Sequence, residues 1–132
     1  MNQPIKPVRI YTASKTRHVD KWRELRSFGF NVISTWIDEA GPGETLSFVD
    51  LWQRCVSESA GCDAVLLYRE EGEALKGALV EVGAAIASGK PVFAVGFDTE
   101  EDLKAFSFLH HPLVCRYASL HTALSLIQEV SG

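Results

Sequence analysis

Short apolar runs alternate with longer amphipathic segments along the chain. An apolar residue at every third or fourth position predicts a helix, whereas a short and nearly continuous apolar run predicts a strand that is covered on both faces. The predicted strands are residues 8–12, 31–37, 62–68, 92–96 and 113–117. The predicted helices are residues 17–29, 45–61, 76–89, 99–108 and 119–130, and we expect Thr45 or Ser47 to cap the second of them.

The regular alternation of strand and helix predicts an α/β fold. Because two parallel strands need a right-handed crossover, we expect a flavodoxin-like or Rossmann-like three-layer sandwich with a five-stranded parallel sheet in the order 2-1-3-4-5. The length of 132 residues, 46% of them hydrophobic, favours a single domain spanning residues 1–132. Ligands of such sheets bind beyond the carboxyl ends of the strands, where the strand order reverses. The predicted site therefore involves the loops at residues 12–17 and 68–77.

The third predicted helix, KGALVEVGAAIASG, is small and apolar except for one acid in its interior, Glu81. Its neighbours at three and four residues are all small: Gly77, Ala78, Ala84 and Ala85. The acid thus lies on a face that a flat ligand can approach. The positive end of the helix dipole is expected to keep its carboxylate ionised and available as a nucleophile. The alternatives are an acid that points to solvent, or one that pairs with Lys76 or Arg69.

Charge and composition limit the possible partners. The formal net charge is −4, and the 13 Lys and Arg residues are dispersed along the chain. Binding to a long nucleic acid needs a concentrated basic surface, so we expect none, although a single nucleotide remains possible. No apolar run approaches the roughly 20 residues that span a bilayer, so we expect no membrane partner. Cys55, Cys62 and Cys115 show no metal-type spacing, and we expect a reducing, cytoplasmic location.

The segment after the first strand carries hydroxyl and cationic side chains where a helix begins, namely Ser14, Lys15, Thr16 and Arg17. Backbone N–H groups at a helix start, together with such side chains, suit a phosphate group. The alternative is a helix cap with solvated basic neighbours. We therefore predict that these four residues bind substrate, with that alternative left open.

Among the aromatic residues, Tyr68 is predicted to lie at the ligand, because it stands at the carboxyl end of the third strand. Trp36 and Trp52 are also able to stack on a base, but the helical spacing of Trp52 is more typical of a core residue. The pair His110-His111 lacks a third ligand at metal spacing, so we expect no metal. Neither a GxxxxGK[ST] nor a GxGxxG motif follows a strand, which argues against an ATPase or a dinucleotide enzyme, and no cofactor is expected.

A longer pattern covers residues 62–96 together with IYTAS at residues 10–14. An acid at the start of an apolar strand is followed by a loop, a glycine, Glu-hydrophobic-Gly on a helix, an alanine-rich turn and Gly-Lys-Pro-Val. The matching residues are Asp63, Gly77, Glu81-Val82-Gly83, Ala84 to Ala87, and Gly89-Lys90-Pro91-Val92. This pattern resembles the nucleoside 2-deoxyribosyltransferase family, including its deoxynucleoside 5′-monophosphate N-glycosidase-like members.

The resemblance implies that Glu81 attacks the anomeric carbon of a nucleoside or nucleotide, forming a glycosyl-enzyme ester that water or a second base resolves. It also implies that the phenol of Tyr11 orients this nucleophile, that Gly77 borders the substrate, and that the protein is a homo-oligomer, a dimer or higher. For Tyr11, the alternative is a core aromatic with its hydroxyl at the surface. Asp63, at the start of a buried strand, is expected to have a structural role.

The sequence departs from the family pattern at two positions. Leu75 and Cys55 stand where the resemblance implies aspartates that handle the base and the leaving group. Four other acids are candidates to replace them, namely Asp50, Glu70, Glu71 and Glu73. An alternative function follows from these departures, a catalytically silent nucleotide-binding module of the same fold. We expect N-glycosidic cleavage or transfer on a small nucleoside or nucleotide, with this alternative open.

Overall fold

The computed structural model describes residues 7–40 and 45–130. The strands are β1 (Arg9–Ala13), β2 (Asn31–Val32), β3 (Ala64–Tyr68), β4 (Val92–Val95) and β5 (Val114–Tyr117). The α-helices are α1 (Val19–Ser27), α2 (Phe48–Gly61), α3 (Gly77–Ala87), α4 (Glu100–Ala105) and α5 (Leu120–Ile127). Short 3-10 helices cover Thr16–His18, Thr35–Asp38 and Ser107–His110. Among these helices, none is both long enough and apolar enough to cross a membrane.

The five strands form one sheet in the order β2-β1-β3-β4-β5, and every neighbouring pair is parallel. This confirms the predicted α/β fold and strand order. Ile10 of β1 pairs with Val32 of β2 on one side and with Ala64 of β3 on the other, so the strand order reverses around β1. Helices flank the sheet, and β4 is buried throughout. This coverage accounts for the continuous apolar runs of the central strands.

The second strand is much shorter than predicted. Residues 31–37 were expected to form one strand, but only Asn31 and Val32 do so, and a 3-10 helix begins at Thr35. At Thr12, side chains take the place of backbone hydrogen bonds between β1 and β2. The Ser34 hydroxyl accepts a hydrogen bond from the Thr12 backbone N–H at 3.0 Å. The indole of Trp36 donates to the Thr12 carbonyl at 2.8 Å. The polar backbone groups at the end of β1 are thus satisfied without further strand pairing.

Local chemistry explains the helix ends. Ser47, one of the two predicted caps, accepts a hydrogen bond from the backbone N–H of Asp50 and starts α2. The helix predicted at residues 99–108 begins with a capping box between Thr99 and Asp102 but ends at Ala105. Phe106 then leaves the helical conformation and packs its ring edge-on against Phe97. The apolar residues after this point belong to a 3-10 helix rather than to a continuation of α4.

Asp63 has the structural role expected of it. Its carboxylate accepts hydrogen bonds from the Arg9 backbone N–H at 2.9 Å and from the Arg9 guanidinium at 3.1 Å. These hydrogen bonds from Arg9 hold the pKa of Asp63 below its usual value, despite its burial. The pair joins the amino-terminal ends of β1 and β3, the opposite end of these strands from the predicted site.

Candidate active site

A cavity of about 470 Å³ opens at the carboxyl ends of β1 and β3, where the strand order reverses. It is bounded by the segment after β1, by residues 74–76 before α3, and by α2 and α3. Six of the eight predicted site residues line it: Ser14, Lys15, Thr16, Arg17, Gly77 and Glu81. The cavity thus lies at the edge of the sheet where the reversal of strand order predicted a ligand site, and its use as a binding site stays a prediction.

Glu81 lies in the second turn of α3, and its side chain is buried at the cavity wall. Tyr11, in the middle of β1, is fully buried, and its hydroxyl donates a hydrogen bond to Oε2 of Glu81. Tyr11 does not line the cavity itself. Its ring is therefore part of the core, as the alternative interpretation held, but its hydroxyl points to the acid rather than to the surface.

The protonation of Glu81 differs from the expectation based on the helix dipole. Burial raises the pKa of Glu81 to about 8, because a charged carboxylate loses its hydration in this position. At neutral pH, the carboxyl group is therefore mostly protonated, and it needs higher pH or a nearby positive charge to become a carboxylate.

The segment after β1 combines fixed and exposed side chains. The Ser14 hydroxyl accepts a hydrogen bond from the Trp22 indole N–H at 2.9 Å and donates to the Lys15 carbonyl at 2.9 Å. Lys15 and Thr16 are exposed at the mouth of the cavity. Arg17 donates to Glu73 at 2.6 Å and to Glu70 at 3.3 Å. A phosphate at this mouth would thus meet Lys15 and Thr16 first, whereas Arg17 has to exchange partners to reach it.

Glu73 fixes the loop before α3 to the segment after β1. This buried carboxylate accepts hydrogen bonds from the Glu70 backbone N–H at 2.8 Å, from His18 at 2.9 Å and from Arg17. Burial alone would raise the pKa of Glu73, but these donors outweigh it and lower the pKa to about 2. The acid is therefore ionised and structural. No periodic or motif signal in the sequence indicates this role, because Arg17 and His18 lie more than 50 residues away along the chain.

His18, Glu70 and Glu73 are also the set of side chains in the described residues whose ligand atoms are close enough for a metal ion, within 4.8 Å of one another. The guanidinium of Arg17 already binds two of these carboxylates. It supplies the positive charge that a metal ion would otherwise supply. We therefore interpret the cluster as a structural ion-pair network.

Tyr68 does not reach the cavity, which corrects the prediction made for it. Its ring packs edge-on against His18 and Trp22, with centroids 5.0 and 5.5 Å apart, and its hydroxyl donates to Glu70 at 2.8 Å. Successive side chains of a strand point to opposite faces of a sheet. The position of Tyr68 at the end of β3 was therefore right, but its side chain points to the face covered by α1.

Two tryptophans line the cavity instead. Trp36 is buried and held by its hydrogen bond to Thr12, whereas Trp52 of α2 is 40% exposed. A Cβ atom at Gly77 would lie 2.9 Å from the ring of Trp52, so this glycine makes room for the indole. Trp52 precedes Cys55 by three residues, which places both on one face of a helix. The helical spacing of Trp52 favoured a core position, but its ring lies at the cavity and is partly exposed.

Leu75 and Cys55, the two positions at which the resemblance implies acids, are both buried and both line the cavity. These two positions therefore lie at the cavity, as the resemblance implies, but they carry an apolar side chain and a thiol instead of carboxylates. The four candidate replacements, Asp50, Glu70, Glu71 and Glu73, all lie outside the cavity wall. Among the described residues that line the cavity, Glu81 is the only acid.

Comparison with known proteins supports the fold. No protein-family model matches the chain. No curated protein sequence matches it either. Among solved structures, a 2-desoxiribosyltransferase from Leishmania mexicana is similar, with a TM-score of 0.65, 17% identity, and coverage of 93% of this chain and 98% of that one. The Clostridium botulinum CMP N-glycosidase BcmB is similar with a TM-score of 0.55, 17% identity, and coverage of 92% and 95%. At these identities, the likeness is one of fold, and it agrees with the fold that the sequence resemblance implied.

Proposed function

We propose that this protein cleaves or transfers the N-glycosidic bond of a small nucleoside or nucleotide, with Glu81 as the nucleophile. The observation that carries the proposal is the buried Glu81 carboxyl, hydrogen-bonded to Tyr11 and exposed to the cavity at the switch point of the sheet. The names of two structures with this fold, a deoxyribosyltransferase and a CMP N-glycosidase, support the same bond as the target.

In the proposed reaction, an oxygen of ionised Glu81 attacks the anomeric carbon of the sugar. The bond between that carbon and the base nitrogen breaks, and its electron pair leaves with the base. The resulting glycosyl ester is then attacked by water or by a second base, which restores the carboxylate. Tyr11 holds Oε2 through its hydroxyl, so the other carboxylate oxygen is left to attack. Apolar walls exclude water and strengthen this charge interaction.

The cavity suits the rest of such a substrate. Trp36 and Trp52 provide flat surfaces for a base, while Lys15 and Thr16 at the mouth suit a phosphate. This arrangement favours a nucleotide over a nucleoside.

Association into a homo-oligomer stays a prediction, which sedimentation velocity of the purified protein tests directly.

The experiment is incubation with a panel of ribonucleosides, deoxynucleosides and their 5′-monophosphates, followed by chromatography for free base. We expect base release by the wild type and by Glu71→Gln, a matched control at an exposed acid outside the cavity. Glu81→Gln should reduce release to background, and intact-protein mass spectrometry should detect a sugar adduct in the wild type and in Glu71→Gln but not in Glu81→Gln.

The alternative function, a nucleotide-binding module without catalysis, is favoured by one observation. Leu75 and Cys55 occupy the cavity wall where the resemblance implies acids. Saturable binding of a nucleotide by calorimetry, with no base release and no adduct across the panel, would establish this alternative and exclude the proposed reaction.

A further inference from the structure

The cavity combines one buried acid with walls that donate few hydrogen bonds. Trp36, Trp52, Cys55 and Leu75 surround the space in which a base attached to a sugar at Glu81 would lie. The indole N–H of Trp36 is already bound to the Thr12 carbonyl. Such a wall binds a flat aromatic ring by packing against the faces of the ring, not by hydrogen bonds to the edge of the ring.

The positive charges of the site are separated from Glu81. Lys15 and Lys76 are exposed at the cavity mouth, and Arg17 is bound to Glu73 and Glu70. Burial is the physical cause that raises the pKa of Glu81, and no cation in the described ranges offsets it. A positively charged ring beside Glu81 would supply the missing opposite charge and convert the acid into a carboxylate. Indole faces also attract a cationic ring.

Leaving-group chemistry leads to the same class of substrate. A neutral purine or pyrimidine departs as an anion unless an acid protonates it, and such general acid catalysis contributes roughly 10²- to 10⁴-fold to a rate. If the ring that contains the glycosidic nitrogen already carries a positive charge, the base departs as a neutral molecule. It therefore needs no proton donor at the positions of Leu75 and Cys55.

We propose that the preferred substrate is a sugar phosphate that carries a positively charged heteroaromatic base in N-glycosidic linkage. This inference rests on the proposed function. A pyridinium ring and an N7-alkylated purine share this chemistry. In the first step, a Glu81 oxygen bonds to the anomeric carbon, and the electron pair of the broken carbon–nitrogen bond neutralises the ring. In the second step, water attacks the same carbon, the carboxylate is released, and one proton passes to solvent.

Two matched pairs of substrates test the inference. The first pair is nicotinamide mononucleotide and its reduced form, which differ in the charge of the ring. The second pair is 7-methyl-2′-deoxyguanosine 5′-monophosphate and 2′-deoxyguanosine 5′-monophosphate, which differ by one methyl group. We expect the cationic member of at least one pair to be cleaved roughly 100-fold faster or more, after subtraction of the rate with Glu81→Gln. The pair that responds identifies which ring type the cavity accepts.

Variants at the wall provide a second measurement. Leu75→Asp introduces a carboxyl group at the wall beside the leaving base. Leu75→Asn introduces a side chain of similar size that has no carboxyl group. We expect Leu75→Asp, but not Leu75→Asn, to raise cleavage of the neutral members relative to the cationic ones by roughly tenfold.

Glu44 lies outside the described residues, and Glu44→Gln tests it as a proton donor. We expect that variant to leave the ratio of cationic to neutral rates unchanged.

The outcomes separate the two proposals. If the wild type cleaves the neutral member of each pair as fast as the cationic one, in a Glu81-dependent manner, the preference for a cationic base is wrong and the proposed function stands. A loss of neutral-substrate cleavage in Glu44→Gln also overturns the preference. If no member of either pair and no substrate of the wider panel is cleaved, the proposed function fails, and the inference fails with it.

Discussion

The hydroxyl of Tyr11 donates a hydrogen bond to the carboxyl group of Glu81, and both side chains are buried. The first residue lies in the middle of β1 and the second in the second turn of α3, 70 positions later in the chain. The contact joins the sheet to the helix at the wall of the cavity. It therefore helps to fix the position of the acid, whose pKa is raised by burial.

Removing this hydroxyl should reduce catalysis without unfolding the protein. In Tyr11→Phe the ring still fills its buried site, but Glu81 loses its donor. A hydrogen bond to a charged group contributes about 1.5–3 kcal/mol, so we expect a fall of about 10- to 100-fold in kcat/KM. The pKa of Glu81 should also rise, because the ionised form loses a stabilising partner, and the pH profile should shift to higher pH.

Tyr117→Phe is the control for this variant, since Tyr117 stacks on Phe93 away from the cavity. Its kcat/KM and its pH profile should match those of the wild type. An unchanged pH profile in Tyr11→Phe would contradict the role assigned to the hydroxyl, whatever the change in rate.

Stability should depend on the protonation of Glu81. Its pKa is about 8 in the folded protein, above the value of about 4.3 expected for an unfolded chain, so the folded state binds this proton more tightly. The resulting stability is fully present below the unfolded pKa and is lost as the pH rises toward 8 and beyond. We expect Glu81→Gln to gain on the order of 3 kcal/mol relative to wild type between pH 5 and pH 9, by urea unfolding at both values.

Glu73 should stabilise the protein with the opposite pH dependence. Its pKa is lowered to about 2, so its contribution is present above the unfolded pKa and is lost as the pH falls toward 2. Glu73→Ala removes the nearer carboxylate partner of His18 and leaves only Glu70 at 3.8 Å, and we expect a loss of about 3 kcal/mol at pH 7. Glu71→Ala, at an exposed position, should change stability by less than about 0.5 kcal/mol.

The difference between Glu73→Ala and wild type should shrink at pH 3, because Glu73 is then protonated in the unfolded chain but still mostly ionised in the folded protein, so folding has to release a proton. Equal destabilisation at pH 3 and pH 7 would contradict the ionised, structural role of this acid. Chemical denaturation at both pH values provides the comparison.

Two glycines of α3 give a test of the cavity wall. In Gly77→Ala the new methyl group meets the ring of Trp52 at 2.9 Å, so the half-exposed indole has to shift. We expect KM to rise several-fold while the melting temperature changes little. Gly83→Ala, on the same helix, meets no atom within 4 Å and should stabilise the protein by up to about 1 kcal/mol with unchanged KM. A similar KM in the two variants would exclude a role for the Trp52 position in binding.

The elements that were wrong or incomplete share one cause. The second strand ended early because Ser34 and Trp36 hydrogen-bond the end of β1, and Tyr68 turned to the face covered by α1. In both cases a local pattern supported the prediction, but contacts with distant segments decided where the strand ends and where the side chain points. Periodicity along the chain carries no information about such contacts.

The sequence by itself determined the alternation of strands and helices, and through the handedness of crossovers it determined the strand order and the edge where the cavity lies. It also placed Glu81 there, because a single acid on a small-sided helix is a local feature. Only the tertiary structure decided that this acid is buried with a raised pKa, that Tyr11 is its partner, and that Glu73 holds Arg17. Desolvation and hydrogen bonding depend on atoms that lie 50 or more positions apart in the chain, and folding alone brings them together.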